Sequence, residues 1–75
     1  MSRIRPVHYR DLSRVFEKAG FRLVRQEGDH RVYVKEGCPR PVVIPCWKEV
    51  PVFIIKNNRR TSGISREAYL DLLDG

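Results

Sequence analysis

The apolar residues of the first part of the chain recur at helical spacing. Within residues 8–19, the positions three or four apart that share one side of a helix are Tyr9, Leu12, Phe16 and Ala19. His8 stands before this stripe as the expected N-cap, and Gly20 follows it where a helix commonly ends in a left-handed residue. The pattern predicts a helix over residues 8–19.

Three segments with strand character follow this helix. Residues 21–27 and 30–36 alternate between apolar and polar positions, and Gly28-Asp29 between them suits a two-residue type II′ turn. A third, short strand over residues 41–46 starts and ends at prolines, which cannot donate to a strand ladder. We therefore predict an antiparallel hairpin extended by a third strand.

A two-residue turn fixes the register of the hairpin and its two faces. It places Glu27 opposite His30, Arg25 opposite Val32 and Leu23 opposite Val34. The predicted core face is made of Phe21, Leu23, Val32 and Val34, and the predicted open, basic face is made of Arg22, Arg31, Tyr33 and Lys35. By this alternation His30 belongs to the core side at the turn end, and a bulged turn would reverse its direction.

The last third of the chain returns to helical patterns. Residues 51–61 predict a second helix with Pro51 at its first position, and Ser65 is the expected cap of a short third helix. The order helix, three antiparallel strands, helix, short helix indicates an α+β fold with the helices on one face of the sheet. The length of 75 residues corresponds to a single domain spanning residues 1–75.

The composition indicates an anionic partner. Lys and Arg number 15 against 9 Asp and Glu, which gives a net charge of +6 and a pI near 9.9. On so small a domain this favours nucleic acid, ahead of a membrane or an acidic protein. No apolar run approaches the ~20 residues of a membrane span, and no secretory h-region is present, so we expect a cytoplasmic protein without membrane contact. Cys38 and Cys46 lack zinc spacing, so we expect no metal and no other cofactor.

Three segments of the chain carry a family pattern. They are VHYRDLSRVFEKAGFRLVRQEGDHRVYV at 7–34, RPVVIP at 40–45 and SGISREAYLDLL at 62–73. Together they resemble the HicA toxins, small mRNA-cleaving ribonucleases of bacterial toxin–antitoxin pairs. The most specific part is a helix ending in K-A-G-F, then a basic strand, then G-x-H and an aromatic residue.

This resemblance implies a fold, a catalytic residue and a partner. The fold is that of double-stranded RNA-binding domains, α-β-β-β-α. The catalytic residue is the histidine of G-x-H, which is His30, and the partner is a HicB antitoxin that covers the active surface. Many members have a further histidine after the third strand, where this chain has Pro45, Cys46 and Trp47.

RNA cleavage without a metal requires a base for the ribose 2′-OH, donors for the phosphate and an acid for the leaving oxygen. An imidazole suits the base, because its unperturbed pKa of about 6.5 leaves a neutral nitrogen at cellular pH. We expect His30 to be the general base on single-stranded mRNA, with Glu27 across the turn orienting its ring. The expected RNA contacts are Arg25, Arg31, Tyr33, Lys35 and Lys48.

Two other functions remain open from the sequence. One is a non-catalytic RNA-binding module of the double-stranded RNA-binding type, which contacts duplex RNA by shape. Such domains place lysines at the start of their last helix, whereas the helix over 51–61 begins Pro-Val-Phe and becomes basic late. The other is a toxin that has lost its activity and only binds its antitoxin.

Overall fold

The structure is a computed structural model that describes residues 3–75. Its elements, in chain order, are α1 (Tyr9–Lys18), β1 (Arg22–Glu27), β2 (His30–Val34), β3 (Val42–Pro45), α2 (Val52–Ser62) and α3 (Arg66–Asp74). The strands form one antiparallel sheet in the order β1-β2-β3. The predicted α+β architecture is confirmed, with all six elements in the expected order.

The first helix begins and ends as its sequence predicts. The Nδ1 atom of His8 accepts a hydrogen bond from the Arg10 N–H at 3.1 Å, so His8 is the N-cap. The apolar stripe is buried through Leu12, Val15 and Phe16. The chain then turns at Gly20, whose φ of +100° lies in the region that favours glycine.

The hairpin turn has the predicted chemistry. Gly28 has a φ of +59°, while Asp29 has a negative φ, since only glycines have positive φ in the described part of the chain. A positive φ at the first central residue alone is typical of a type II′ turn, whereas a type I′ turn has positive φ at both central residues. The pairs Glu27–His30 and Arg25–Val32 are confirmed.

The predicted pairing of Leu23 with Val34 is wrong. A bulge between Leu23 and Arg25 shifts the register, so Leu23 pairs with Tyr33 and Arg22 pairs with Val34. A bulge adds one unpaired residue to a strand, and side chains before it therefore point to the opposite face from the one that alternation predicts.

The bulge corrects the predicted faces of the sheet. Tyr33 is not on an open face; it is 0% exposed and packs in the core with Phe21, Val42 and Ile44. Arg31, two residues before Tyr33 in β2, points to the same side of the sheet. Val32 is also buried, but on the other face, between Arg25 and Val43 in the ladder. Of the predicted core residues, Leu23 is instead 43% exposed.

The helices complete the core on the side of Tyr33. Val50, Ile55 and Tyr69 join the same cluster, and each is fully buried. Pro51 is the N-cap of α2 rather than its first helical residue, and α3 has the expected cap, in which Ser65 Oγ accepts from the Ala68 N–H at 3.1 Å. Among residues 3–75, no helix combines the length and apolar character that crossing a membrane requires.

Two neighbouring valines of β3 test the assignment of the faces. Val42 is 0% exposed and Val43 is 40% exposed. A hydroxyl buried without a partner costs about 1–3 kcal/mol, so Val42→Thr should lower the free energy of unfolding by that amount. Val43→Thr should change it by less than about 0.5 kcal/mol. Urea unfolding measures both, and a larger loss at position 43 would contradict the faces described.

Candidate active site at the end of the sheet

The hairpin turn places a carboxylate against the imidazole of His30. His30 Nδ1 lies 2.8 Å from Asp29 Oδ1. A carboxylate only accepts hydrogen bonds, so the neutral ring carries its proton on Nδ1 and presents the lone pair of Nε2 outward. The His30 side chain is 47% exposed, and Nε2 has no hydrogen-bond partner among residues 3–75. This arrangement provides an oriented proton acceptor.

The segment after β3 holds Asp29 in position. Trp47 Nε1–H donates to Asp29 Oδ2 at 3.4 Å, and the Cys46 N–H donates to the Asp29 backbone carbonyl at 2.6 Å. The hydrogen bond from Trp47 lowers the pKa of Asp29, and His30 adds to that shift. The carboxylate is thus kept ionised, with one oxygen for each of its two side-chain partners.

Glu27 is opposite His30 in the ladder, but its carboxylate is directed elsewhere. Glu27 Oε2 lies 2.9 Å from Arg25 Nε. The carboxylate that contacts the imidazole is therefore that of Asp29, which the sequence pattern indicated only as a turn residue. Arg25 stands diagonal to His30 on the same face, a spacing of about 7–8 Å between neighbouring strands that a long side chain can span.

Arg31 and Tyr33 are separated from His30 by the sheet. Arg31 Nη1 donates to the Tyr33 hydroxyl at 3.5 Å, and its guanidinium carbon lies 5.1 Å from the centroid of the Tyr9 ring. The contact with Tyr33 raises the pKa of Arg31. Because Tyr33 is fully buried, its ring has no free face on which a base can stack.

The two predicted lysines differ in their position relative to His30. Lys35 follows the far end of β2, about 17 Å along the strand from His30, and its Nζ is 5.7 Å from the centroid of the Phe21 ring. Lys48 is exposed, one residue beyond Trp47. The structure thus brings the predicted residues Arg25, Glu27 and His30 together on one face. Asp29 and Trp47, which were not predicted to take part, also belong to this group. Lys35 lies outside it.

The His30 side chain lies at the surface of the protein. Depressions elsewhere on the surface of residues 3–75 are lined by other side chains, such as Arg40 and Arg60 in one and Leu70 and Leu73 in another. Within residues 3–75, no three His, Cys, Asp or Glu side chains are grouped so that they could bind a metal ion. A substrate of this site would meet a surface, and it would have to bring its own contact area.

The chain matches the model of a known family. A family model described as HicA toxin of bacterial toxin-antitoxin matches residues 9–64, a range that contains α1, the whole sheet and all of α2. His30, Asp29 and Trp47 all lie within it. Comparison with the curated proteins gave no match.

The hydrogen bond from Trp47 can be tested through the titration of Asp29. Trp47→Phe removes the indole N–H, which is the largest cause of the lowered pKa, so the pKa of Asp29 should rise toward the ordinary value for aspartate. The carboxyl ¹³C shift of Asp29, followed by NMR against pH, measures this. Phe53→Leu is the control, because this exposed aromatic residue makes no contact with Asp29, and it should leave the midpoint unchanged.

The same change alters the dependence of stability on pH. A folded-state pKa below the unfolded one favours the folded protein at pH values above the unfolded pKa, and this contribution is lost as the pH falls through the lowered pKa. Trp47→Phe should therefore make stability fall less in that acid range. An unchanged midpoint for Asp29 in the Trp47→Phe protein would show that the hydrogen bond is absent in solution.

Proposed function

The chain belongs to the HicA toxin family, and from the geometry of the His30–Asp29 pair we propose that it is a ribonuclease that cleaves mRNA and so inhibits translation. The observation on which this rests is the 2.8 Å contact of His30 Nδ1 with Asp29, which leaves Nε2 exposed as a base. Membership of the family implies a HicB-type antitoxin as protein partner. The site of action would be the cytoplasm, where mRNA is translated.

The proposed reaction begins at a ribose 2′-OH. His30 Nε2 takes the hydroxyl proton while the 2′-oxygen bonds to the adjacent phosphorus atom. The bond between phosphorus and the 5′-oxygen breaks, and that oxygen takes up a proton from the surrounding water. The products are a 2′,3′-cyclic phosphate and a free 5′-hydroxyl. Asp29 is a positioning residue in this scheme, since it fixes the ring and stabilises the imidazolium that forms.

Arg25 is suited to the charge that develops on the phosphate. It lies on the face of His30, and a guanidinium has five N–H donors, so its contact with Glu27 leaves others for phosphate oxygens. The open surface favours a single strand, whose backbone can lie against the sheet end with its 2′-OH accessible. A duplex would keep its backbone in a fixed A-form geometry.

The alternative of a non-catalytic module for duplex RNA has less support. The start of α2 presents Val52 and Phe53 to solvent, and Phe53 is 64% exposed, where a duplex-binding domain would place lysines. Its basic residues, Arg59 and Arg60, lie in the last turn.

The two histidines of the chain provide a matched test of the base. His30→Asn should lower the rate of RNA cleavage by at least about a hundredfold, because no other group at the site replaces the imidazole. His8→Asn should keep the rate within about twofold, because asparagine is a good N-cap. The rates are measured on single-stranded RNA in EDTA, and His30→Asn should still fold and bind the antitoxin.

The same assay separates the candidate functions. Cleavage at an unchanged rate by His30→Asn would remove His30 from the mechanism. Retention of duplex RNA without cleavage of either form by the wild-type chain would favour the binding module. Failure of the wild-type chain both to cleave RNA and to arrest growth, with antitoxin binding intact, would indicate an inactive toxin.

Asp29→Asn tests the positioning role separately. Asparagine keeps the shape of the side chain but loses the charge that stabilises the imidazolium, so kcat should fall by about tenfold or more. KM for RNA should stay unchanged, since Asp29 is not proposed to touch the substrate. A rise in KM with kcat preserved would instead place Asp29 in RNA binding.

A further inference from the structure

Two arginines converge on one aromatic ring at the start of α1. The guanidinium carbon of Arg31 lies 5.1 Å from the centroid of the Tyr9 ring, and that of Arg10 lies 5.9 Å from it. Arg10 comes from the first turn of the helix and Arg31 from the second residue of β2. The ring thus holds together two cations from distant parts of the sequence.

Neither of these arginines is neutralised by a carboxylate in the part of the chain that the structure describes. Arg14 and Arg25, by contrast, have ion-pair partners at 3.8 Å and 2.9 Å, in Asp11 and Glu27. Arg31 is half-buried, and its Nε is buried without a hydrogen-bond partner. Both guanidinium groups lie within about 6 Å of the centroid of the same ring, so an anion that binds beside this ring meets positive charge without a competing carboxylate.

Trp47 connects this cluster to the site of His30 around the end of the sheet. The Tyr9 backbone N–H donates to the Trp47 carbonyl at 3.1 Å, and the Trp47 indole donates to Asp29, which contacts His30. The loop after β3 therefore contacts both Tyr9 and Asp29, which is the partner of His30. An RNA strand that is bound at His30 and follows this loop would reach Tyr9.

We propose that Arg10, Arg31 and Tyr9 form a subsite for a phosphate of the RNA strand that flanks the cleaved phosphodiester. This inference rests on the ribonuclease function proposed above. Guanidinium groups match phosphate oxygens in a bidentate way, and the tyrosine ring keeps them in place. An acidic protein segment would be attracted to the same charges. RNA is the occupant that the position favours, because a strand bound at His30 has its next phosphates tethered beside the cluster.

Substrate length distinguishes this subsite from the catalytic centre. One substrate is a dinucleotide, which has only the cleavable phosphate. The other is a hexanucleotide with the same central bond and 2′-O-methyl groups on its other riboses, so that it is cut once. Arg10→Gln should lower kcat/KM for the hexanucleotide by at least about tenfold, the worth of a charge-assisted hydrogen bond. For the dinucleotide, the subsite is empty and kcat/KM should stay within about twofold.

Arg14→Gln is the matched control, because it removes an exposed arginine of the same helix that already has a partner in Asp11. It should leave both substrates within about twofold of wild type. Salt dependence gives a second readout on the His30→Asn background, where the hexanucleotide binds without being cut. Arg10→Gln should reduce the slope of log K against log salt by about 0.7, the loss of one phosphate contact, and Arg14→Gln should not.

Each other outcome has a defined meaning. Equal losses on both substrates would overturn the subsite and place Arg10 at the cleaved phosphate. An unchanged hexanucleotide rate would also overturn it, and weaker antitoxin binding in that case would assign the surface to the protein partner. If the wild-type chain cleaves neither substrate, the proposed function fails, and the salt slope for binding then decides the subsite alone.

Discussion

The burial of Tyr33 determines the side of the sheet on which its neighbours lie. An aromatic side chain buries roughly 150–250 Å², more than any other residue of β2 can offer to the helices. With Tyr33 fully enclosed beside Phe21 and Ile44, alternation along the strand sends Val32 and His30 to the opposite face. The His30 imidazole is therefore exposed to water because the Tyr33 ring, three residues later in the strand, is buried on the other face.

Much of the fold follows from local sequence patterns. The helical stripe, the caps at His8 and Ser65 and the Gly28-Asp29 turn depend on residues close together in the chain, and the structure agrees with all of them. The faces of the hairpin depend on one bulge near Val24. The sequence gives no local sign of it, because apolar residues occupy both parities of β2 and either face could be taken for the core.

The candidate site was predictable in part. The pairing of Glu27 with His30 follows from the turn length, but the choice of carboxylate does not. Consecutive side chains in a strand point to opposite faces, so Asp29 would be expected to point away from its neighbour. The turn interrupts that alternation, and the contact with Trp47 joins residues 18 apart in sequence. Predicting such a contact requires knowledge of the path that the segment after β3 follows.

The openness of the surface around His30 has a consequence for how such an activity can be restrained. A small metabolite gains affinity by being enclosed, and at most about 1.5 kcal/mol per heavy atom even in the best cavities, so an exposed side chain at the end of a sheet offers it little. A folded protein instead covers roughly 800 Å² per partner and needs no cavity. An exposed site of this kind therefore favours inhibition by a dedicated protein partner over inhibition by a small molecule. Activity would then depend on the balance between two polypeptides and on how fast each is made and degraded.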